Sequence, residues 1–334
     1  MVVNGDGFGS EADPAEVTLG GSPLPLLEWA ADRLLVEVPA DLPPGPFDLV
    51  VTDPLGSGTA TTLFTVLQPD DVARGLEIAT VDLPGLPRVV DVAPDGRLSL
   101  VATDQGLAAI EVSVPDAPVL HFLPAADGLD DLDVSPDGTN IYAVSQNEKT
   151  LYRYVYDASV TPPGNPVALL DEISLGQDPR GVAIDPTGKR IYIAMVDEVQ
   201  IWDINPTSAT YHFQVGTMSG TGPVLLGNLA LDPGGRYLMA TEGTGHLAVF
   251  DPRAGTLLAE IPVQANPVDI QVTPAGDVAY VTDDNGYLTV VDLPGLAKER
   301  DILTGGSLQG AALTPTAAFL YATNHQEDDL AVID

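Results

Sequence analysis

Apolar and polar positions alternate along this chain in a phrase that repeats. It is plainest over 272–292, VTPAGDVAYVTDDNGYLTVVD. A short apolar strand ends in a turn at a proline, a second strand follows, a second polar turn reverses the chain, and a third strand closes on Val-Asp. The phrase fits the chain six times, on turn prolines Pro94, Pro136, Pro186, Pro233, Pro274 and Pro315, with spacings by subtraction of 42, 50, 47, 41 and 41 residues. A period of about 40–50 residues with several short strands per unit marks a β-propeller.

Four and two residues before each proline stand Val90/Val92, Leu132/Val134, Val182/Ile184, Leu229/Leu231, Ile270/Val272 and Ala311/Leu313. All are apolar, the alternation of a strand packed between two layers, and they are expected to be core. A more variable fourth strand completes each unit except the last, which reaches only its third strand at LAVID (330–334). Ahead of the first unit, LEIATVDL (76–83) is similar to the outer strand LLAEIPV (257–263). It is expected to complete the sixth blade and close a ring of six four-stranded blades, because an open array leaves two bare edges. The alternative is a fragment of a longer array with further blades missing.

Residues 1–68 lack the phrase. Short alternating strands at 15–19, 34–38, 46–52 and 59–66, separated by Gly/Pro turns and without helical periodicity, predict a β-sandwich. Residues 69–75 form a short proline-containing linker, and 76–334 the propeller. The predicted architecture is therefore all-β in two domains.

The sequence has 334 residues, no cysteine, 33 glycines and 30 prolines, so many turns and neither disulfides nor thiolate chemistry are expected. Its net charge of −35 on 13 basic residues repels phosphate backbones and anionic membrane surfaces. Nucleic-acid binding and direct membrane insertion are not expected, and no run approaches the ~20 apolar residues of a membrane helix. MVVNGDGFGS has no basic or apolar leader pattern, so either the protein is cytosolic or its export signal lies upstream.

Two resemblances extend this reading. NGDGFGS (4–10), VTLGGSPLPLLEWAADRLLVEVP (17–39) and PPGPFDLVVTDPLGSGTATTLFTV (43–66) resemble an IPT/TIG domain, an immunoglobulin-like module. The resemblance departs at the front, where a first strand usually precedes the Gly-x-Gly-Phe turn and only Met1–Val3 remain, which suggests truncation. SPDGTNIY (135–142), DPTGKRIY (185–192) and AYVTDDN (279–285) resemble the surface-layer propeller repeats named for a Tyr-Val-Thr-Asn tetrapeptide. That resemblance implies a secreted or cell-surface protein, often carrying immunoglobulin-like modules. The repeat also looks like that of lactonase-type propellers, which implies an enzymatic alternative.

Ligands of propellers usually sit where the innermost strands begin. Five and six residues before the prolines, Arg88, Asp130, Asp131, Arg180, Asn228, Asp269 and Gln309 are expected to converge there. Asp130, Asp131 and Asp269, with Asn228, offer hard oxygen ligands that would suit Ca²⁺. The competing reading is that the carboxylates pair with Arg88 and Arg180 and fill the mouth.

Other motifs carry less. GDGFG (5–9) precedes strands rather than a helix, so its glycines are turn glycines and not a phosphate cradle. The acidic run 127–137 lacks EF-hand spacing, and Asp283–Gly286 reads as a turn. His121, His212, His246 and His325 have no zinc spacing. There is no Gly-x-Ser-x-Gly elbow, and Trp29 and Trp202 are expected in cores. The expectation is a non-catalytic, extracellular or cell-surface binding or scaffold protein that recognises a protein or glycan partner through a propeller face. A lactonase-like hydrolase with a metal at the mouth, or a component of a larger assembly or longer chain, are the alternatives.

Overall fold

The computed structural model describes residues 2–4, 9–10, 13–14, 16–30, 33–36, 45–52, 59–66, 81–112, 118–160, 164–220, 226–314, 317–327 and 329–333. The chain divides into two compact units, Met1–Glu77 and Ile78–Asp334. All regular structure among the described residues is β.

In the first unit, Glu16–Leu19 pairs antiparallel with Gly45–Thr52, which pairs in turn with Thr59–Val66. Val2–Asn4 and Leu26–Ala30 flank Arg33–Val36 in a second sheet. Val17, Leu19, Val36 and Leu49 are buried, as alternation along half-covered strands requires. The strand Leu26–Ala30 was not expected from the alternation. Within the glycine motif, residues 5–8 lie outside the described residues, and Gly9 opens the short strand Gly9–Ser10. The linker 69–75 also lies outside them.

The second unit is a succession of antiparallel sheets with strands in chain order, five of four strands and a sixth with three among the described residues. This is a β-propeller-like array. The innermost strands are Pro87–Val92, Asp131–Val134, Gly181–Ile184, Leu226–Leu231, Pro267–Val272 and Leu308–Leu313, and each packs against the next. Except at Ala93, the side chain of the residue before the turn proline accepts backbone N–H groups of the turn. Asp185 Oδ1 accepts the Lys189 and Arg190 N–H groups, and Asp232 Oδ1 those of Arg236 and Tyr237. Gly138 takes φ 72° two residues after Pro136. The sixth turn has Ala317 at that place, with φ 53°. The outer strands are the most exposed, which explains their variable sequence.

Apolar residues of successive sheets interlock into continuous clusters. Leu100, Ala102 and Ala109 of the first sheet meet Leu132, Val134 and Ile141 of the second. Met239, Leu247 and Val249 of the fourth meet Ile270, Val281 and Val291 of the fifth. Burying the facing surfaces of successive sheets is the main stabilising term. Trp202 is half-buried against the third-sheet cluster and donates Nε1–H to Gln200 Oε1 at 3.0 Å.

One core expectation is corrected. Leu132 and Val134 are 4% and 9% exposed, but their first-sheet counterparts Val90 and Val92 are 63% and 51% exposed. The reason is local: nothing among the described residues covers that face of the strand Pro87–Val92. The closing strand predicted at 76–83 falls mostly outside the described residues, and its last part, 81–83, is not in a strand.

Candidate functional site

The positions before the turn prolines stand at the same edge of successive sheets, where the innermost strands begin. The backbone explains why they point as they do. At four and two residues before the proline, side chains face the preceding sheet. At five and three, they face the following one.

Asp131 shows the consequence. Its Oδ1 accepts the Leu132 N–H at 2.9 Å, and its Oδ2 crosses the seam to accept the Val182 N–H of the third sheet at 2.8 Å. Asp133 does the same two residues further on, with Ile184 N–H at 2.6 Å. Asp269 accepts the Ile270 N–H at 2.8 Å and the Ala311 N–H of the sixth sheet at 2.9 Å. These aspartates clamp neighbouring innermost strands. Burial pushes the Asp131 carboxyl up to about 7, with the charges of Asp269 and Asp91 adding to the rise. Burial pushes Asp133 up to about 8, helped by the charge of Asp91. Asp91 and Asp269 are raised too, again chiefly by burial.

Asp130 behaves differently. It forms an ion pair with Arg88 and accepts the Gln146 N–H at 2.6 Å through its other oxygen. Gln309 is exposed and donates to Ser307 Oγ at 3.0 Å, while its carbonyl accepts from Thr282 Oγ1. The expected pairing of carboxylates with arginines thus describes Arg88 and Asp130. Asp131 and Asp269 are held by backbone N–H groups. Among the described residues, no three His, Asp or Glu side chains form a group that could hold a metal ion.

Arg180 directly precedes the innermost strand of the third sheet, and Asn228 lies in the innermost strand of the fourth. Gly181, beside Arg180, comes so close to the fourth sheet that a Cβ there would lie 2.7 Å from the Gly227 carbonyl and 3.4 Å from the Asn228 Cα. The Arg180 Nε–H and the Asn228 Oδ1 are both buried, and neither has a hydrogen-bond partner among the described residues. A buried donor and a buried acceptor on adjacent strands, both open, are costly for a protein to leave unmatched. Acceptors and donors of a ligand such as a sugar or a peptide would match the one and the other.

The structure brings together Arg88 with Asp130, while Arg180 and Asn228 stand separately at the beginnings of adjacent innermost strands. Asp131 and Asp269 are in different seams and feel each other only through their charges. Asp91 and Asp133 were missed by the residue count, although DVAP and DVSP place an aspartate three before the proline in both units. Also missed is a cavity of about 340 Å³ at the opposite edge, between the second and third sheets, lined by Asn140, Tyr142, Arg153 and Tyr211. Arg153 donates to Asp171 Oδ2 and Asn140 Oδ1, both at 2.9 Å, which uses much of its hydrogen-bonding capacity.

No family model and no curated protein matches the sequence. Among solved structures, the chain is similar to Kuenenia stuttgartiensis hydrazine synthase. The identity is 19%, the TM-score 0.62, and the match covers 79% of this chain and 80% of that one. At that identity the likeness speaks for the fold alone, and it agrees with the β-propeller-like array.

Proposed function

We propose that this chain is a non-catalytic binding or scaffold protein of the cell surface or extracellular space. In this reading residues 1–68 are an IPT/TIG-type, immunoglobulin-like module, and the second unit is built of six surface-layer-type repeats. A protein or glycan partner docks where the innermost strands begin. The observation that carries the reading is that two buried groups at the beginnings of the adjacent third and fourth innermost strands, Arg180 Nε–H and Asn228 Oδ1, are open among the described residues. They offer a partner one donor and one acceptor in a partly desolvated setting, where a hydrogen bond is worth more than in water. The strongly acidic surface selects neutral or basic partners over phosphate-bearing ones. The hydrolase alternative needs carboxylates free to hold a metal, and the oxygens of Asp131 and Asp269 are engaged by backbone N–H groups.

The test is a glycan array and a peptide array probed with the unaltered chain and with the double variant Arg180→Ala, Asn228→Ala. The reading expects a ligand set bound by the first and lost by the second at unchanged melting temperature. Binding that survives the double variant would move the site elsewhere. Hydrolysis of lactones by the purified chain with added Ca²⁺ would replace this reading with the enzymatic one.

A further inference from the structure

The two ends of the array each present a sheet face that no described residue covers, and the two faces are of opposite kinds. On the first sheet, Val90 and Val92 project from Pro87–Val92 on the side that every later sheet turns toward its predecessor. On the sixth sheet, the register aligns Ala312, Tyr321 and Val332 in one row, and Tyr321 and Val332 are 37% and 58% exposed. The same row on the first sheet includes Leu100 and Ala109, which are fully buried beneath the second sheet. The sixth sheet thus ends in the face that elsewhere receives a following sheet, and the first begins with the face that elsewhere receives a preceding one.

Val81 and Leu83 show what precedes the first sheet. They lie thirteen and eleven residues before Pro94, as Ile261 and Val263 lie before Pro274. Ile261 and Val263, at the end of the fourth sheet's outer strand, pack against Val281 and Val291 of the fifth. Val81 and Leu83 pack against the corresponding Val101 and Ile110 of the first sheet. They therefore occupy the place of an outer-strand end belonging to a sheet before the first. If that sheet were the sixth, it would cover Val90 and Val92, and these stand exposed.

We infer that the gap between the sixth and first sheets is the seat of one further sheet of the same repeat type, lying beside Val81 and Leu83. Its inner strands would lay apolar residues on Tyr321 and Val332 on one side and on Val90 and Val92 on the other. This repeats an interface that the chain already makes five times, from the first sheet to the sixth. A continuous apolar seam recovers the burial that the two open faces forgo.

The experiment compares the chain with an extended form in which a copy of residues 252–292 follows Asp334. LAVID (330–334) and LAVFD (247–251) are in phase, so the copy supplies the sixth sheet's outer strand and three strands of the next. The chain itself is expected to bind an apolar dye such as anilinonaphthalene sulfonate. Val90→Asp should leave its melting temperature within about 1 °C, since surface changes are nearly neutral. The extended form should lose dye binding and melt at least about 5 °C higher, and Val90→Asp should now lower its melting point by about as much. The inference is overturned if Val90→Asp already destabilises the unextended chain by that amount, because the sixth sheet would then cover the first. It is also overturned if the unextended chain forms concentration-dependent dimers that Val90→Asp dissolves, or if a folded extended form keeps its dye binding. Should the extended form fail to fold, loss of dye binding in Val90→Asp, Val332→Asp at unchanged melting temperature supports the open faces, and retained dye binding rejects them.

Discussion

Asp131 of the second sheet accepts the backbone N–H of Val182 in the third at 2.8 Å, across a seam that Asp133 also bridges. The same carboxylate accepts the Leu132 N–H, so its removal orphans two donors in the interior. Each unpaired buried group costs about 1–3 kcal/mol. Asp131→Ala should therefore lower the unfolding free energy of the second unit by roughly 2 kcal/mol or more. Urea denaturation followed by tryptophan fluorescence checks this, Trp202 lying in the third sheet.

Asp131 and its neighbour Asp133 also set a pH dependence. Burial raises their folded-state values to about 7 and about 8, above the ordinary value of 3.8. Folding thus favours the protonated carboxyls, and their contribution is fully present below the unfolded value of 3.8. It is lost progressively as pH rises through about 7 and 8. The melting temperature should fall between pH 5.5 and pH 8.5 in high salt, where general repulsion among surface charges is screened. In the variant Asp131→Asn, Asp133→Asn that slope should flatten.

The sixth turn carries a different strain. Ala317 holds φ 53° where the earlier turns have glycine. A left-handed conformation costs a residue with a Cβ about 1 kcal/mol. Ala317→Gly should stabilise the chain by up to about 1 kcal/mol, reduced by the added freedom of glycine in the unfolded state. Differential scanning calorimetry would record a small rise in melting temperature.

The array was legible in the sequence because its period reports packing directly. Every second residue of an innermost strand must fill the seam beside it, so Leu132, Val182 and Ile270 were identifiable by counting from a proline. Val90 obeys the same count and is exposed, because its burial depends on a neighbour and not on its own strand. The candidate site was half legible. Counting placed Arg180 and Asn228 at one edge. It could not say that Asp131 is bound by backbone N–H groups while Arg180 Nε is left open, since these depend on the approach of one sheet to the next. Asp91 and Asp133 were visible in the strands yet unremarked, since an aspartate inside an apolar strand gains its meaning only from the N–H it reaches.

The carboxylates also make a prediction about metals. Calcium takes six to eight oxygens, and Asp131 and Asp269 each already accept backbone N–H groups in separate seams. Millimolar Ca²⁺ should raise the melting temperature no more than NaCl of equal ionic strength does, and EDTA should not lower it. Strong stabilisation at micromolar Ca²⁺ would show a specific site and favour the hydrolase reading.

The claim that the open groups at the third and fourth sheets recognise a partner is tested most directly by isothermal titration of an array-selected ligand against three single variants. A hydrogen bond between neutral groups contributes about 0.5–1.5 kcal/mol, and one to a charged group about 1.5–3. Asn228→Ala should weaken binding by roughly three- to tenfold and Arg180→Ala by tenfold or more. Arg88→Ala, which removes the partner of Asp130, should leave it unchanged. If Arg180→Ala and Asn228→Ala bind as the unaltered chain does, the seam between the third and fourth sheets is not the site.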